Sequence, residues 1–170
     1  MIALADCNNF FCSCERVFQP QLRTTPVVVL SNNDGCVIAR SNESKALGIK
    51  MGQPFYQVKE MIEKNGVAVF SSNYTLYGDM SSRVMSLLST YSPKIDIYSI
   101  DEAFLDFSGI AEGDELKQYA QNMVRQLAKG TGIPISLGIA PTKTLAKAAS
   151  KFAKKYKAYN GVCIIDTDDK

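Results

Sequence analysis

The chain has 170 residues, of which 46% are hydrophobic and 21% charged, with a net charge of +2 at neutral pH and no histidine. That length suits one globular domain, or one domain with a small insertion. Because histidine is absent, Ser-His-Asp and Cys-His catalysis and His-ligated zinc are excluded within this chain. Carboxylates, lysines, hydroxyls or thiols must therefore carry any chemistry.

The N-terminal segment and the cysteines predict a cytoplasmic protein. Residues 1–6 have no basic region and their apolar run is broken by Asp6, which is unlike a signal peptide. No stretch approaches the ~18 apolar residues of a membrane span. The five cysteines, an odd number, lack the paired spacing of a disulfide framework and are interpreted as reduced thiols. Cys7, Cys12 and Cys14 lack a fourth ligand at zinc-finger spacing, which disfavours a zinc site.

The first half of the chain predicts short strands alternating with short helices. Asn33-Asp34-Gly35, between two apolar runs, strongly predicts a hairpin turn because these residues tolerate the backbone angles of tight turns. The predicted elements are a strand at 2–5, a helix at 10–18, strands at 27–30 and 36–39, helices at 42–48 and from Pro54 to near Gly66, and a strand at 67–70.

The second half predicts longer helices and a second hairpin. Its elements are a helix at 76–91, two strands around 95–97 and 103–107, a helix at 116–127 ended by Gly130 and Gly132, a strand at 135–139, a helix from a Thr142 cap to about 156, and a strand at 161–165. Without residues 20–75, this order is close to the split βαβ, ferredoxin-like arrangement. The predicted class is therefore α+β, a mostly antiparallel sheet backed by helices, with an α/β insertion.

Three acids fall where predicted strands end. Asp6 follows the first strand, and Asp101-Glu102 lies at the tip of the second hairpin. In a ferredoxin-like sheet these strands are central neighbours, so the three carboxylates are expected to converge. Clustered carboxylates repel one another unless a cation joins them, and ligation by oxygen alone suits Mg²⁺. Two such ions would clamp the attacking and leaving oxygens of a phosphoryl or nucleotidyl transfer. Taken singly, these acids are also typical of turns, caps and solvated surface, and spacing alone leaves both interpretations open.

A row of lysines follows the predicted Thr142 cap. Residues 143–157 hold six lysines and no acid, whereas residues 96–115 hold seven acids and no base. Lys143, Lys147 and Lys151 are spaced at i, i+4 and i+8 and form one helical stripe, which predicts a weak site for DNA or phosphate. The alternative is an ordinary solvated helix face. Walker-type and G-x-G-x-x-G loops are missing, which disfavours P-loop and Rossmann nucleotide binding.

Five runs in the sequence resemble the Y-family translesion DNA polymerases. They are ADCNNFF at 5–11, SNNDGCVIAR at 31–40, KALGIKMG at 45–52, YSIDEAFLD at 98–106 and GIAPTKTLAK at 138–147. The SNNDGC run is similar to the UmuC branch, which contains the catalytic subunit of bacterial DNA polymerase V. The resemblance implies a palm at 1–9 and 74–170 and fingers at 10–73. Because nothing here corresponds to a thumb or little finger, we expect an N-terminal fragment that is a poor polymerase by itself.

The resemblance also assigns roles to individual residues. Asp6, Asp101 and Glu102 match the catalytic carboxylates, which hold two Mg²⁺ together with the backbone carbonyl of Cys7. One ion would lower the pKa of the primer 3′-OH and the other would neutralise the triphosphate. The residues implied to contact the incoming nucleotide are Asn9 and Phe10 through their backbone N–H groups, Phe11 as the steric gate against a ribose 2′-OH, and the side chains of Asn42, Lys45 and Lys154.

Two positions depart from the family pattern. Asn42 stands where many relatives place a triphosphate-binding Tyr, and Asn can still donate a hydrogen bond. Phe11 replaces the Tyr common at the gate; the bulk is kept, so we expect ribonucleotides to be rejected.

The predicted function is error-prone, template-directed synthesis across DNA lesions in the SOS response, in the cytoplasm and associated with the nucleoid. The implied substrates are primer-template DNA and deoxynucleoside triphosphates, and the implied partners are a processed UmuD-like subunit, a recombinase filament and the sliding clamp. Two alternatives remain: a palm-type nucleotidyl cyclase, and a non-catalytic nucleic-acid-binding module whose acids are turn residues.

Overall fold

The computed structural model describes residues 1–166, in which the chain forms two compact units. The larger unit contains Met1–Asn8 and the chain from Gly78 onward, and the smaller unit is Asn9–Tyr77. The last four residues of the predicted second palm segment, 167–170, lie outside the described residues. No helix in the described part of the chain is long and apolar enough to cross a bilayer.

The larger unit is a five-stranded sheet with helices packed against it. Its strands are β1 (Ile2–Cys7), β5 (Ile95–Ile97), β6 (Glu102–Asp106), β7 (Ile135–Ala140) and β8 (Val162–Ile164), in the spatial order β5-β6-β1-β7-β8. The first four pair antiparallel, and β8 adds to β7 in parallel. This order of antiparallel strands, crossed by helices, is the predicted ferredoxin-like arrangement.

The larger unit also contains helices α5 (Gly113–Thr131) and α6 (Lys143–Lys155) and, from Gly78 onward, the rest of α4 (Tyr74–Leu88). Helix α6 lies close against β7, because a Cβ atom built on Gly138 of β7 would stand 2.1 Å from the backbone nitrogen of Ser150. Only glycine permits this approach, which fixes α6 on the sheet. The predicted Thr142 cap is confirmed, since its side chain accepts a hydrogen bond from the N–H of Leu145.

The smaller unit is a three-stranded sheet with short helices. It contains α1 (Phe10–Phe18), β2 (Val27–Leu30), β3 (Val37–Arg40), α2 (Asn42–Ala46), α3 (Phe55–Asn65) and β4 (Ala68–Ser71), and the strand order is β3-β2-β4. Its core packs Val28 and Leu30 of β2 and Val37 of β3 against residues that include Ile49, Val58 and Ile62. The predicted hairpin is confirmed: β2 and β3 pair antiparallel, with Asp34 at φ 56° in the turn.

Several predicted helix boundaries differ from the structure: α2 ends at Ala46 rather than 48, and α4 ends at Leu88 rather than 91. Helix α4 begins at Tyr74 rather than 76, because the Asn73 side chain accepts a hydrogen bond from the N–H of Leu76 and caps the first turn. Helix α5 runs from Gly113 to Thr131, beyond the predicted 116–127. Gly130 lies inside this helix, and Gly132 ends it in the left-handed conformation at φ 76°.

Candidate active site

The register of the sheet places the three predicted catalytic acids together. Strands β1 and β6 run antiparallel with Asp6 opposite Glu102, and the N–H of Cys7 donates to the carbonyl of Asp101 at 2.9 Å. Asp6 is the penultimate residue of β1 and Glu102 the first residue of β6, so all three acids lie at one end of two central strands. The sheet therefore brings these residues to the same place.

Two side chains contact the acids directly. Lys154 on helix α6 donates from Nζ to Oδ2 of Asp6 at 2.9 Å. The Ser99 hydroxyl lies 2.9 Å from Oδ1 of Asp101 and 3.3 Å from Oε2 of Glu102, so it can donate to either. Ser99 is not among the predicted site residues, although its position two residues before Asp101, in the turn between two strands, is a signal visible in the sequence.

Burial and charge act in opposite directions on Asp6. Burial is the largest cause and raises the pKa of Asp6 above its usual range, while the charge and hydrogen bond of Lys154 act to lower it. The negative charges of Asp101 and Glu102 raise the pKa of Asp6 further. The acids are thus close enough to repel one another, as expected of carboxylates that lack a shared cation.

The acids do not form a closed ligand cage by themselves. Within residues 1–166, no group of three or more Cys, Asp and Glu side chains is arranged to hold a metal ion. Lys154 and Ser99 instead neutralise or hydrogen-bond the carboxylates. The available donors are nevertheless all oxygens, three carboxylates and the backbone carbonyl of Cys7, and a hard divalent cation such as Mg²⁺ prefers this donor set.

The predicted lysine stripe runs along α6, and two of its three lysines contact other side chains of the chain. Lys143 forms an exposed ion pair with Asp96 at 3.1 Å, and Lys147 lies 4.5 Å from the centre of the Tyr98 ring. Lys151 is exposed. A phosphate approaching Lys143 or Lys147 would compete with these contacts. These two lysines are therefore less available to bind phosphate than their spacing in the sequence indicates.

In the smaller unit, three of the residues predicted to contact the nucleotide touch one another. The amide Nδ2 of Asn9 donates to Oδ1 of Asn42 at 3.1 Å, and Lys45 donates from Nζ to Oδ1 of Asn9 at 2.7 Å. Asn9 precedes α1 in the left-handed conformation at φ 46°, which Asn adopts more readily than most residues. The backbone N–H groups of Phe10 and Phe11 belong to the first turn of α1, where N–H groups lack helical partners.

The predicted steric gate lies in an aromatic cluster of the smaller unit. The ring of Phe11 stacks on that of Tyr77 with centroids 4.3 Å apart and packs edge-on to Tyr74 at 6.3 Å. Tyr77 is completely buried and donates from its hydroxyl to Glu15 at 2.9 Å. Burial raises the pKa of Tyr77, so its hydroxyl keeps its proton. Tyr77 and its hydrogen bond therefore hold Phe11 in one orientation.

Comparison with known proteins identifies the family. The model of the impB/mucB/samB family matches residues 5–151, so the chain belongs to that family. It is 50% identical over 170 residues to Protein ImpB of Salmonella typhimurium, covering all of this chain and 40% of ImpB. It is 51% identical to Protein UmuC of Salmonella typhimurium strain LT2 over 157 residues, which are 92% of this chain and 37% of UmuC. The resemblance to the UmuC branch is thereby confirmed.

Other relatives and solved structures agree with the fold. The chain is 35% identical to DNA polymerase IV of Picrophilus torridus, covering 99% of this chain and 48% of that protein. The crystal structure of DinB from Sulfolobus solfataricus superimposes with a TM-score of 0.87 at 29% identity, over 98% of this chain and 49% of that one. An insertion ternary complex of Dbh DNA polymerase gives a TM-score of 0.85 at 29% identity, and the match covers 97% of this chain and 48% of that one. The predicted α+β class is confirmed, and the chain spans between about two fifths and half of these proteins.

Proposed function

We propose that this chain supplies the nucleotidyl-transfer centre of an error-prone, template-directed translesion DNA polymerase. The observation that carries the proposal is the placement of Asp6 opposite Glu102, with Asp101 beside them and Lys154 on Asp6. Membership of a family with UmuC, and similarity to proteins named DNA polymerase IV, support this assignment.

In the proposal, Asp6, Asp101, Glu102 and the backbone carbonyl of Cys7 hold two Mg²⁺. When bound, such ions lower the pKa of an attacking hydroxyl and neutralise the charge of a triphosphate. Oxygen-only donors and the mutual repulsion of the acids support this assignment.

The protein's own residues then position the substrates. Lys154 is a point charge at the acids and stabilises the negative charge of the triphosphate. The N–H groups of Asn9 and Phe10, at the start of α1, donate to phosphate oxygens, and Asn42 and Lys45 add side-chain donors. Phe11, held by Tyr77, occupies the volume that a ribose 2′-OH would need and so selects deoxynucleotides.

The larger unit corresponds in this proposal to the palm, predicted at 1–9 and 74–170, and the smaller unit to the fingers, predicted at 10–73. The separation of the chain into compact units after Asn8 and after Tyr77 supports that division. The substrates are primer-template DNA and deoxynucleoside triphosphates, used in damage bypass and SOS mutagenesis. A processed UmuD-like subunit, a recombinase filament and the sliding clamp are the proposed partners, in the cytoplasm at the nucleoid.

A hybrid in which this chain replaces the matching 40% of ImpB tests the proposal, because the two are 50% identical throughout. We expect the hybrid to extend an annealed primer in the presence of Mg²⁺, and Asp101→Asn to abolish extension. Asp96→Asn, which removes an exposed acid on the neighbouring strand β5, is the matched control and should leave extension intact.

Two results would overturn the assignment. Retained extension in the Asp101→Asn hybrid would show that this acid is not catalytic. Turnover of free nucleotide without primer or template would favour a cyclase instead. Extension in the Asp96→Asn control shows that the loss is specific to Asp101.

A further inference from the structure

Three aromatic rings form an exposed row on the larger unit that the proposed chemistry does not use. Phe152 lies on α6, and Tyr156 is the first residue after that helix ends. Tyr159 lies in the short 3-10 helix that follows, Lys157–Tyr159. Successive ring centroids are 6.1 Å and 6.3 Å apart, and the three residues are 43%, 46% and 42% exposed. We call these three residues the aromatic row.

The aromatic row lies outside the buried core, with one contact to it: the Tyr159 side chain hydrogen-bonds Cys163. Helix α6 packs on the sheet through small residues, and Ala146, Ala149 and Ala153 are its buried face. Phe152 and Tyr156 are not part of this buried face and remain 43% and 46% exposed. Leaving three neighbouring aromatic rings in water forgoes the free energy that their burial would give, so a row of this kind marks a contact surface.

Positive charges lie among these rings. Lys151 and Lys155 are one helical turn apart on α6 and alternate with Phe152 and Tyr156 along the chain, and Lys157 follows. The Nζ of Lys155 lies 5.4 Å from the centre of the Tyr156 ring. Between residues 143 and 165 the sequence has no acid. In the described residues, none of these three lysines forms an ion pair.

We propose that the aromatic row and its lysines bind single-stranded nucleic acid. Bases stack on the exposed rings, while Lys151, Lys155 and Lys157 contact the phosphates. Stacking accepts any base because every base has a π-face, and lysines add a salt-dependent attraction to the backbone. A duplex hides its base faces by pairing and stacking, so this surface favours a single strand. A chain of acidic residues alone, such as polyglutamate, would use the lysines and leave the rings without a partner.

Binding of a fluorescently labelled oligothymidylate to the chain, followed by anisotropy, tests this proposal. Replacing a stacking ring with alanine costs about 1–3 kcal/mol per base, or about 5- to 150-fold in affinity. We therefore expect Tyr156→Leu, which keeps apolar bulk without a π-face, to weaken binding at least about fivefold, and Tyr156→Phe to retain it. Tyr56→Ala, at a 78% exposed tyrosine on α3, is the control for a ring outside the row.

Charge and stacking are separated by further variants. We expect Lys151→Gln with Lys157→Gln to lower the dependence of affinity on salt, whereas Tyr156→Leu leaves that dependence unchanged. Asp101→Asn should not weaken oligothymidylate binding, so failure of the catalytic proposal and failure of this one are distinguishable. Cross-linking with 5-bromodeoxyuridine should mark peptides containing residues 152–159.

Several outcomes would overturn the proposal. Equal affinity in Tyr156→Leu, Tyr156→Phe and the unchanged chain would exclude stacking at this row. Equal or tighter binding of a duplex of the same length would exclude the preference for a single strand. Polyglutamate competing as well as unlabelled oligothymidylate would show a surface that recognises charge alone.

Discussion

The two units hold their candidate site residues by different means. In the larger unit, backbone pairing of adjacent strands positions Asp6 and Glu102, and the Asp6 side chain is only 15% exposed. In the smaller unit, Asn9 and Asn42 stand at helix starts and Lys45 lies in the last turn of α2; contacts between their own side chains position them. Strand register is rigid, whereas polar contacts in water have small net energies.

From this difference we expect the larger unit to act on the reacting atoms and the smaller unit to bind and select the substrate. Groups that act on the reacting atoms need positions fixed within a fraction of an ångström, which a sheet supplies. Groups that bind or select a substrate tolerate adjustable side chains. Substitutions in the larger unit should therefore lower the rate of the chemical step steeply, and substitutions in the smaller unit should mainly change affinity or selectivity.

The largest expected effect comes from Glu102→Gln, which keeps the shape of the side chain and removes its charge. Because a catalytic metal supplies several kcal/mol of transition-state stabilisation, we expect primer extension by the ImpB hybrid to fall at least about 10³-fold. Steady-state extension rates measure this effect. Glu112→Gln, at an exposed acid, is the matched control; similar losses in both variants would contradict a special role for Glu102.

The next largest effect is on stability. Gly138→Ala places a methyl group 2.1 Å from the Ser150 nitrogen and 2.4 Å from the Ala146 oxygen, so helix α6 must move away from β7. We expect a loss of about 3 kcal/mol in the free energy of unfolding, measured by urea denaturation. Gly78→Ala, in an exposed part of α4 with open space around it, is the control and should be neutral or stabilising by up to about 1 kcal/mol.

If Gly138→Ala proves as mild as Gly78→Ala, the close contact between α6 and the sheet is not essential. The position of Lys154 at Asp6 would then need another explanation, because α6 carries that lysine.

A smaller effect is expected at the aromatic cluster of the smaller unit. Phe11→Ala opens the volume beside a ribose 2′-OH, so discrimination against ribonucleotides should fall at least about tenfold, equivalent to 1.4 kcal/mol. The ratio of kcat/KM for deoxynucleotide and ribonucleotide in the hybrid measures it. Tyr77→Phe keeps the ring stacked under Phe11 and should retain most discrimination. Unchanged discrimination in Phe11→Ala would contradict the gate assignment.

The smallest effects are expected at the exposed polar residues. Lys45→Ala and Asn42→Ala each remove a hydrogen bond to Asn9 and a proposed phosphate donor. We expect the KM for deoxynucleotide to rise about two- to tenfold, from a net 0.5–1.5 kcal/mol per hydrogen bond, with kcat nearly unchanged. Lys59→Ala on the exposed side of α3 is the control. A large fall in kcat would show that these residues act in the chemical step. It would contradict the expectation that only the larger unit does so.

The sequence predicted most elements because their signals are local. Helical periodicity, the Asn33-Asp34-Gly35 turn and the Thr142 cap each act within a few residues, and each is confirmed. Pairing between distant segments has no such signal. The parallel pairing of β4 with β2, and of β8 with β7, therefore appears only in the structure.

The same limit applies to the site. The sequence predicts that the three acids lie together, because strand ends and a hairpin tip are visible in it and one topology makes those strands neighbours; the structure places them together. The contact between Lys154 and Asp6 joins residues 148 positions apart, and those of Asn42 and Lys45 with Asn9 join residues 33 and 36 apart. Such contacts depend on side-chain placement in the folded chain, which residue spacing does not specify.

In the proposed function, the three acids of the larger unit form one divalent-metal site for a nucleotide. Its most direct test is electron paramagnetic resonance of Mn²⁺ bound to the chain in the presence of deoxyadenosine triphosphate. We expect protein-bound Mn²⁺ in the unchanged chain and in Asp96→Asn, and its loss in Asp101→Asn. Equal Mn²⁺ binding by Asp101→Asn and Asp96→Asn would contradict the claim.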